Sequence, residues 1–319
     1  MSKVYTLTLN PAYDVHAYAR HFEPFHENLA QIQSRDAGGK GVNISRALQK
    51  NGVVNTAVIV LGRDNCVDFK ADLAQAGLDT VLLEKPGRIR ENLTIHCDAQ
   101  PETRISFSGF SVDDSILAEM LQTMQVDADT IVTFTGRVPN GVSMESAKEF
   151  LAQLKSLGAR IVLDSRSFSL ADIFAVQPWL IKPNQEEISE YFTCPVKTVE
   201  DAMSKAKVFA DQGVANVMIS LGEQGALLHN QGKCYIAAPP KVEAVSTIGA
   251  GDSAIAGFIA ADMAGCTPEE CLKMAVSYGT AACLSAGSMP PERKAVEEIY
   301  RQVSVRQVEC AVENMICNM

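Results

Sequence analysis

Apolar residues recur along this chain in two rhythms. Short β-branched runs, such as Val4-Tyr5-Thr6-Leu7-Thr8-Leu9 before the turn signal Asn10-Pro11, alternate with longer stretches of helical spacing. The pattern predicts a strand over 4–9, a helix over 42–50 closed by Asn51-Gly52, a strand over 53–61, a helix over 66–76 and a short strand over 80–83. Such alternation implies a parallel sheet wrapped by helices. It resumes after Gly109, with helices over 113–124, 143–157, 186–192 and 199–212 and strands over 130–134, 160–163, 179–182 and 216–220. A separate antiparallel hairpin is expected over 226–229 and 233–236, then helices over 253–264, 268–286 and 292–303.

Two stretches break the rhythm. Residues 13–35 are polar and aromatic with no helical period. Residues 93–97 and 103–107 alternate apolar with polar about a turn at 98–102, the mark of a half-solvated hairpin. Together they predict a small antiparallel sheet made from two insertions. The expected organisation is an α/β core (1–12, 38–87 and 109–303), a small sheet (13–37 and 88–108) and a weakly amphipathic tail (304–319).

Composition narrows the classes. With 319 residues, 47 % hydrophobic and 21 % charged, the chain is neither disordered nor fibrous. No apolar run reaches the ~18 residues of a membrane helix, and the opening MSKVYTLTLNPAYD has no secretory pattern. A net charge of −10 without a basic run argues against a general nucleic-acid binder. An anionic ligand therefore needs local positive charge. The nine cysteines include no C-x-x-C, which argues against a disulfide framework or zinc site and fits the cytoplasm.

The sharpest local feature is Thr247-Ile248-Gly249-Ala250-Gly251-Asp252-Ser253, entering a small-residue helix. A helix start offers unpaired N–H groups and the positive end of the dipole, and two glycines let an anion approach them. Asp252 in that first turn can accept a hydroxyl proton while the amides hold a transferring phosphoryl group. An ordinary glycine turn with a dipole-stabilised Asp would also explain the segment. Gly249-x-Gly251-x-x-Ala254 fits a dinucleotide fingerprint too, but only helices follow it and Asp252 would face the pyrophosphate. No Walker motif is present.

A second cluster joins Asn10-Pro11-Ala12-Tyr13-Asp14 to Gly38-Gly39-Lys40-Gly41-Val42-Asn43, where Asp14 at a strand end suits sugar hydroxyls and Lys40 supplies a cation. A third, Lys182-Pro183-Asn184-Gln185-Glu186-Glu187, reads as a helix start with a capping box from Asn184 to Glu187. Alternatively, Glu187 can face Mg²⁺ through water. The fourth, Ser220-Leu221-Gly222-Glu223-Gln224-Gly225, is a glycine-rich strand end suited to a nucleotide, or simply a loop. Arg88, Arg90 and Arg137 could supply positive charge. His16, His21, His26 and His96 lack a ligand pattern.

Taken in this order, the motifs resemble the ribokinase-type sugar kinases of the PfkB family, from about residue 4 to 290. Leu9-Asn10-Pro11-Ala12-Tyr13-Asp14 and Arg90-Glu91-Asn92 resemble the branch that acts on already phosphorylated sugars, the 1-phosphofructokinases and tagatose-6-phosphate kinases. The resemblance implies a three-layer α/β/α fold with a central, mostly parallel sheet and an antiparallel β-lid that pairs two subunits as a homodimer. It implies ATP and Mg²⁺ as cofactors and a phosphosugar as partner. Fructose 1-phosphate is the expected substrate, with tagatose 6-phosphate or fructose 6-phosphate the alternative and a non-catalytic sugar-phosphate sensor a more distant one.

It implies Asp252 as catalytic base, with Gly249, Ala250 and Gly251 as anion hole. Asp14, Gly38, Gly39, Lys40, Asn43, Arg90 and Arg137 would hold the phosphosugar. Lys182, Asn184, Ser220, Gly222, Gly225, Thr247 and Gly251 would line the ATP site, with Glu187 near Mg²⁺ through water. Two departures bear on the sugar. Arg137 stands where the family segment S-G-S-L-P carries its second serine, and Asp164-Ser165-Arg166-Ser167 lacks the family glycine.

Overall fold

The computed structural model describes residues 3–98, 100–285 and 287–309. Residues 310–319 of the expected tail, the last residue of the expected 268–286 helix, one residue of the 98–102 turn and the first two residues lie outside them. The chain opens with β1 (Val4–Thr8), and a first insertion of β2 (Ala12–Tyr18) and β3 (Gln31–Gly38) leads into α1 (Lys40–Lys50). Next come β4 (Thr56–Gly62), α2 (Val67–Gln75) and β5 (Asp79–Lys85), and a second insertion adds β6 (Arg90–His96) and β7 (Thr103–Ser106). The alternation resumes as α3 (Ser115–Thr123), β8 (Ile131–Thr135), α4 (Met144–Ser156), β9 (Arg160–Asp164), α5 (Leu170–Val176), β10 (Leu180–Ile181), α6 (Gln185–Phe192), α7 (Val199–Asp211) and β11 (Asn216–Ser220). Strands β12 (Ala226–Asn230) and β13 (Lys233–Ala238), helices α8 (Ala250–Met263), α9 (Pro268–Ala282) and α10 (Arg293–Gln302), and strand β14 (Ser304–Val308) complete it.

Ten strands form one sheet in the order β14-β13-β12-β11-β10-β9-β8-β1-β4-β5. From β11 to β5 every pairing is parallel; β12, β13 and β14 extend the edge antiparallel. The parallel strands read as near-continuous apolar runs because helices cover both faces. Val132 and Phe134 of β8 pack toward α4, α6 and α7, whereas Ile131 packs toward α1, α8 and α9. No helix among the described residues is long and apolar enough to cross a membrane.

The second sheet has the order β3-β2-β6-β7. Its two flanking pairings are antiparallel, as the alternation suggested, while the central β2–β6 pairing is parallel because the two insertions leave the core in the same direction. Tyr13 anchors this sheet: its hydroxyl donates to the Asn65 carbonyl at 2.6 Å and accepts the Phe69 N–H at 2.9 Å, with Arg35 stacked on the ring. His16 and His96, unassigned in the sequence, face each other across the same sheet with ring nitrogens 3.0 Å apart.

As expected, residues 13–35 belong to the small sheet and hold most of two of its strands. Three other expectations need correction. The 226–236 hairpin is not a separate piece; β12 pairs with β11 and so belongs to the main sheet. The start of the expected tail, Ser304–Val308, is an edge strand on β13, and a five-residue edge strand carries too little pattern to be read alone. Helix α5 was not anticipated: at seven residues it is too short for a period, although the Ser169–Asp172 capping box marks its start.

Candidate active site

The starts of α1 and α8 meet the carboxyl ends of β9 and β10. Helix α8 begins at Ala250, after Gly249 adopts φ 76°, a left-handed conformation that glycine takes without strain. Ala250 N–H makes only a long, 3.4 Å bond to the Thr247 carbonyl, and the N–H groups of the first turn have no carbonyl a turn earlier to accept them. The helix is buried on nearly all sides between α1 and α9, so its small residues are packing requirements as much as functional ones.

Asp252 is buried in this first turn, and its Oδ2 accepts from Asn43 Nδ2 at 2.9 Å. Burial pushes its pKa up to about 6; the Lys40 charge opposes the rise and the Asp164 charge adds to it. Lys40, the first residue of α1, donates to buried Asp164 Oδ2 at 2.8 Å. Burial alone would raise the Asp164 pKa, but the charges of Lys40 and Lys182 outweigh it and hold the group below its usual range. In the same way, burial disfavours the Lys40 ammonium, and the fields of Asp164 and Asp252 more than restore it. Lys182, just past β10, is buried with its Nζ 2.9 Å from where a Cβ on Gly251 would stand. An ammonium thus lies against the first turn of α8.

The second cluster closes the opposite wall. Asp14, on β2, accepts from Asn92 Nδ2 at 3.0 Å, and burial raises its pKa. A Cβ at Gly38 would sit 2.2 Å from Asp14 Oδ2, so only glycine admits this carboxylate. Gly39 forms the N-terminal boundary of α1, with Lys40 and Asn43 in the first turn. Among the described residues, buried oxygens of Asn10, Asn43 and Asn92, and Nε of Arg90, have no hydrogen-bond partner. Unpaired buried polar atoms are costly, and a polyol would satisfy them. Arg90 is partly buried, which lowers its pKa, and the charge of Arg137 lowers it further. The exposed Arg137 follows β8. Neither arginine forms an ion pair among the described residues.

The third and fourth clusters meet at the strand ends of β10 and β11. Ser220 N–H donates to the Pro183 carbonyl at 3.1 Å, and Asn184 bridges Ser220. Gly222 opens a 3-10 turn closed at Gly225, whose carbonyl accepts Leu221 N–H at 2.8 Å. The expected capping box is complete: Asn184 Oδ1 accepts Glu187 N–H at 2.8 Å, and Glu187 Oε2 accepts Asn184 N–H at 3.0 Å. Thr247 precedes the first turn of α8. The structure brings Lys40, Asn43, Lys182, Gly251 and Asp252 together, while Asp14 and Arg90 lie on the small sheet. Asp164 and Asn92 had no assigned role; a strand-end Asp and an Asn two places from Arg90 were the available signals.

A buried acid in a helix first turn, a lysine against the same turn and a set of unpartnered buried polar atoms suit a phosphotransferase acting on an alcohol. Residues 8–295 match the pfkB family of carbohydrate kinases. The chain belongs to that family, and it is an ATP-dependent sugar kinase. It is 32 % identical over 285 residues to the 1-phosphofructokinase of Escherichia coli K12, covering 88 % of this chain and 90 % of that one. It is 30 % identical over 306 residues to the 1-phosphofructokinase of Vibrio cholerae, covering 95 % and 96 %. The crystal structure of phosphofructokinase-2 from Escherichia coli in complex with substrates and products superposes with a TM-score of 0.88 at 27 % identity, covering 94 % and 99 %.

Replacing Lys40 by Met leaves Asp164 with only the weaker fields of Lys182 and Arg166. The expected cost is about 1–3 kcal/mol in urea unfolding at pH 7, less than for a fully buried pair because the Lys40 side chain is 36 % exposed. The native Asp164 pKa is depressed, so this contribution is present above the unfolded carboxylate pKa and is lost as pH falls through the folded value. The difference between the two proteins should therefore shrink toward low pH.

Proposed function

We propose that the protein transfers the γ-phosphoryl group of ATP to a hydroxyl of fructose 1-phosphate, giving fructose 1,6-bisphosphate, with Asp252 as the base. The observation that carries this reading is the buried Asp252 in the first turn of α8, within the field of Lys40 and Lys182 and bonded to Asn43. The acceptor hydroxyl gives its proton to Asp252 as its oxygen attacks the γ-phosphorus in line, and ADP leaves. The amides at Gly249, Ala250 and Gly251, with Lys182, take the charge on the transferring group. Asp14, Gly38, Gly39, Lys40, Asn43 and Arg90 hold the sugar, and the small sheet excludes water. Lys182, Asn184, Ser220, Gly222, Gly225, Thr247 and Gly251 hold the nucleotide.

The donor set fits magnesium carried in on the nucleotide. No three acidic, histidine or cysteine side chains converge as a metal site among the described residues, which leaves phosphate oxygens and water as its inner ligands. Glu187 would hold it through water, and when bound it neutralises phosphate charge. The relatives at 30–32 % identity named 1-phosphofructokinase favour the 1-phosphate. Arg90 and Arg137, which form no ion pair among the described residues and feel each other's charge, favour a substrate that already bears a phosphate. The small sheet exposes Ile32, Ile105 and Phe107, and we infer that it pairs two copies as a homodimer, in the cytoplasm where thiols stay reduced.

Asp252→Asn should lower kcat by about 10²–10⁴-fold with ATP affinity nearly unchanged, as measured by coupled assay and calorimetry. The base must be ionised, so kcat/KM of the native enzyme should fall below about pH 6, tenfold per unit. In Lys40→Met that acid limb moves to higher pH, because the cation opposing the shift is gone. Arg137→Ser should raise KM for fructose 1-phosphate about 10-fold or more while sparing KM for ATP. Assaying fructose 1-phosphate, fructose 6-phosphate, tagatose 6-phosphate and unphosphorylated fructose side by side identifies the acceptor. Ile32→Lys should shift the sedimenting species from dimer to monomer; an Ile95 charge is less suitable because that side chain is buried.

A further inference from the structure

Two residues beyond the end of β9, Arg166 turns its guanidinium onto the start of α6. Its Nε donates to Glu187 Oε1 at 2.9 Å, and its Nη2 lies 3.4 Å from Glu186 Oε2. The second Glu187 oxygen is already held by the Asn184 N–H at 3.0 Å. Glu187 is thus fixed by the helix cap and 12 % exposed, while Arg166 is 43 % exposed and the movable partner. Glu187 also belongs to the catalytic surroundings. With Asp164, Lys182 and Tyr191 it lines a small cavity at the ends of β9 and β10, and its charge acts on Lys40.

We propose that Arg166 is a built-in counter-cation that competes with nucleotide-borne magnesium for Glu187, so that the Arg166–Glu187 pair opens when metal-loaded nucleotide binds. The proposal rests on reading Glu187 as the side chain nearest magnesium. A guanidinium is permanently charged, so its repulsion toward a divalent ion cannot be relieved by losing a proton. Its exposure makes opening inexpensive: an ion pair of this kind shifts a linked equilibrium by up to about fivefold. Arg166 therefore weakens binding of the metal-loaded nucleotide without touching the metal-free one.

Calorimetry with the non-hydrolysable analogue AMP-PNP, once with EDTA and once with excess Mg²⁺, reads this without turnover. Arg166→Ser should tighten binding of the magnesium complex about three- to fivefold and leave metal-free binding within about twofold. Arg166→Lys keeps the charge and should leave both near the native values. In Glu187→Gln the advantage of the magnesium complex should shrink, and adding Arg166→Ser should then bring no gain. No gain in Arg166→Ser, an equal gain in the Glu187→Gln background, or weakened metal-free binding each overturns the proposal. If Glu187→Gln leaves the magnesium advantage intact, the metal role of Glu187 itself fails, an outcome distinct from a responsive Glu187 uncoupled from Arg166.

Discussion

Two carboxylates, Asp164 and Asp252, are buried within each other's electric field, and Lys40 makes that tolerable. Placed in a low-dielectric site without a cation, one of them would hold its proton at neutral pH. Lys40 bonds directly to Asp164 and acts only through its field on Asp252. The division has chemical consequences. Asp164 stays ionised as a fixed counter-charge, whereas burial leaves Asp252 with a pKa raised to about 6.

This arrangement depends on three parts of the chain meeting. Lys40 and Asn43 lie on the first turn of α1, Asp164 ends β9, and Asp252 opens α8. Parallel strands bring their carboxyl ends to one edge, and the following helices turn their positive ends there, so anions and the cations that accompany them collect at that edge. The long, nearly all-apolar α8 packs between α1 and α9, which fixes its N-terminus relative to Lys40 more firmly than a surface helix could. Rigidity at the acid is the return on burying a glycine- and alanine-rich helix.

The small sheet follows a different logic. Tyr13 ties its base to α2, while the next residue, Asp14, turns to the other face with its cross-strand neighbours Arg90 and Asn92. One face thus carries binding groups and the other leaves Ile32 and Ile105 outside. The apolar face is packed at its root, where Tyr13, Val15 and Leu93 meet Phe69 and Leu73 of α2.

Much of this was legible in the sequence. The T-I-G-A-G-D run, the N-P-A-Y-D and G-G-K-G-V-N segments and the Asn184–Glu187 capping box are local: backbone conformation, dipole and hydrogen bonds are set within a few residues, so identity and spacing suffice to read them. The helix–strand alternation was readable for the same reason. Short α5, the edge strand β14 and the joining of the 226–236 hairpin to the main sheet were not, because each depends on a partner far away in the chain. Lys40 lies 124 residues from Asp164, and Asn43 209 residues from Asp252. The sequence by itself determined which groups could bear charge and where helices would begin. Only the tertiary structure decided which of those charges would be buried together, because burial and pairing are set by packing between distant segments.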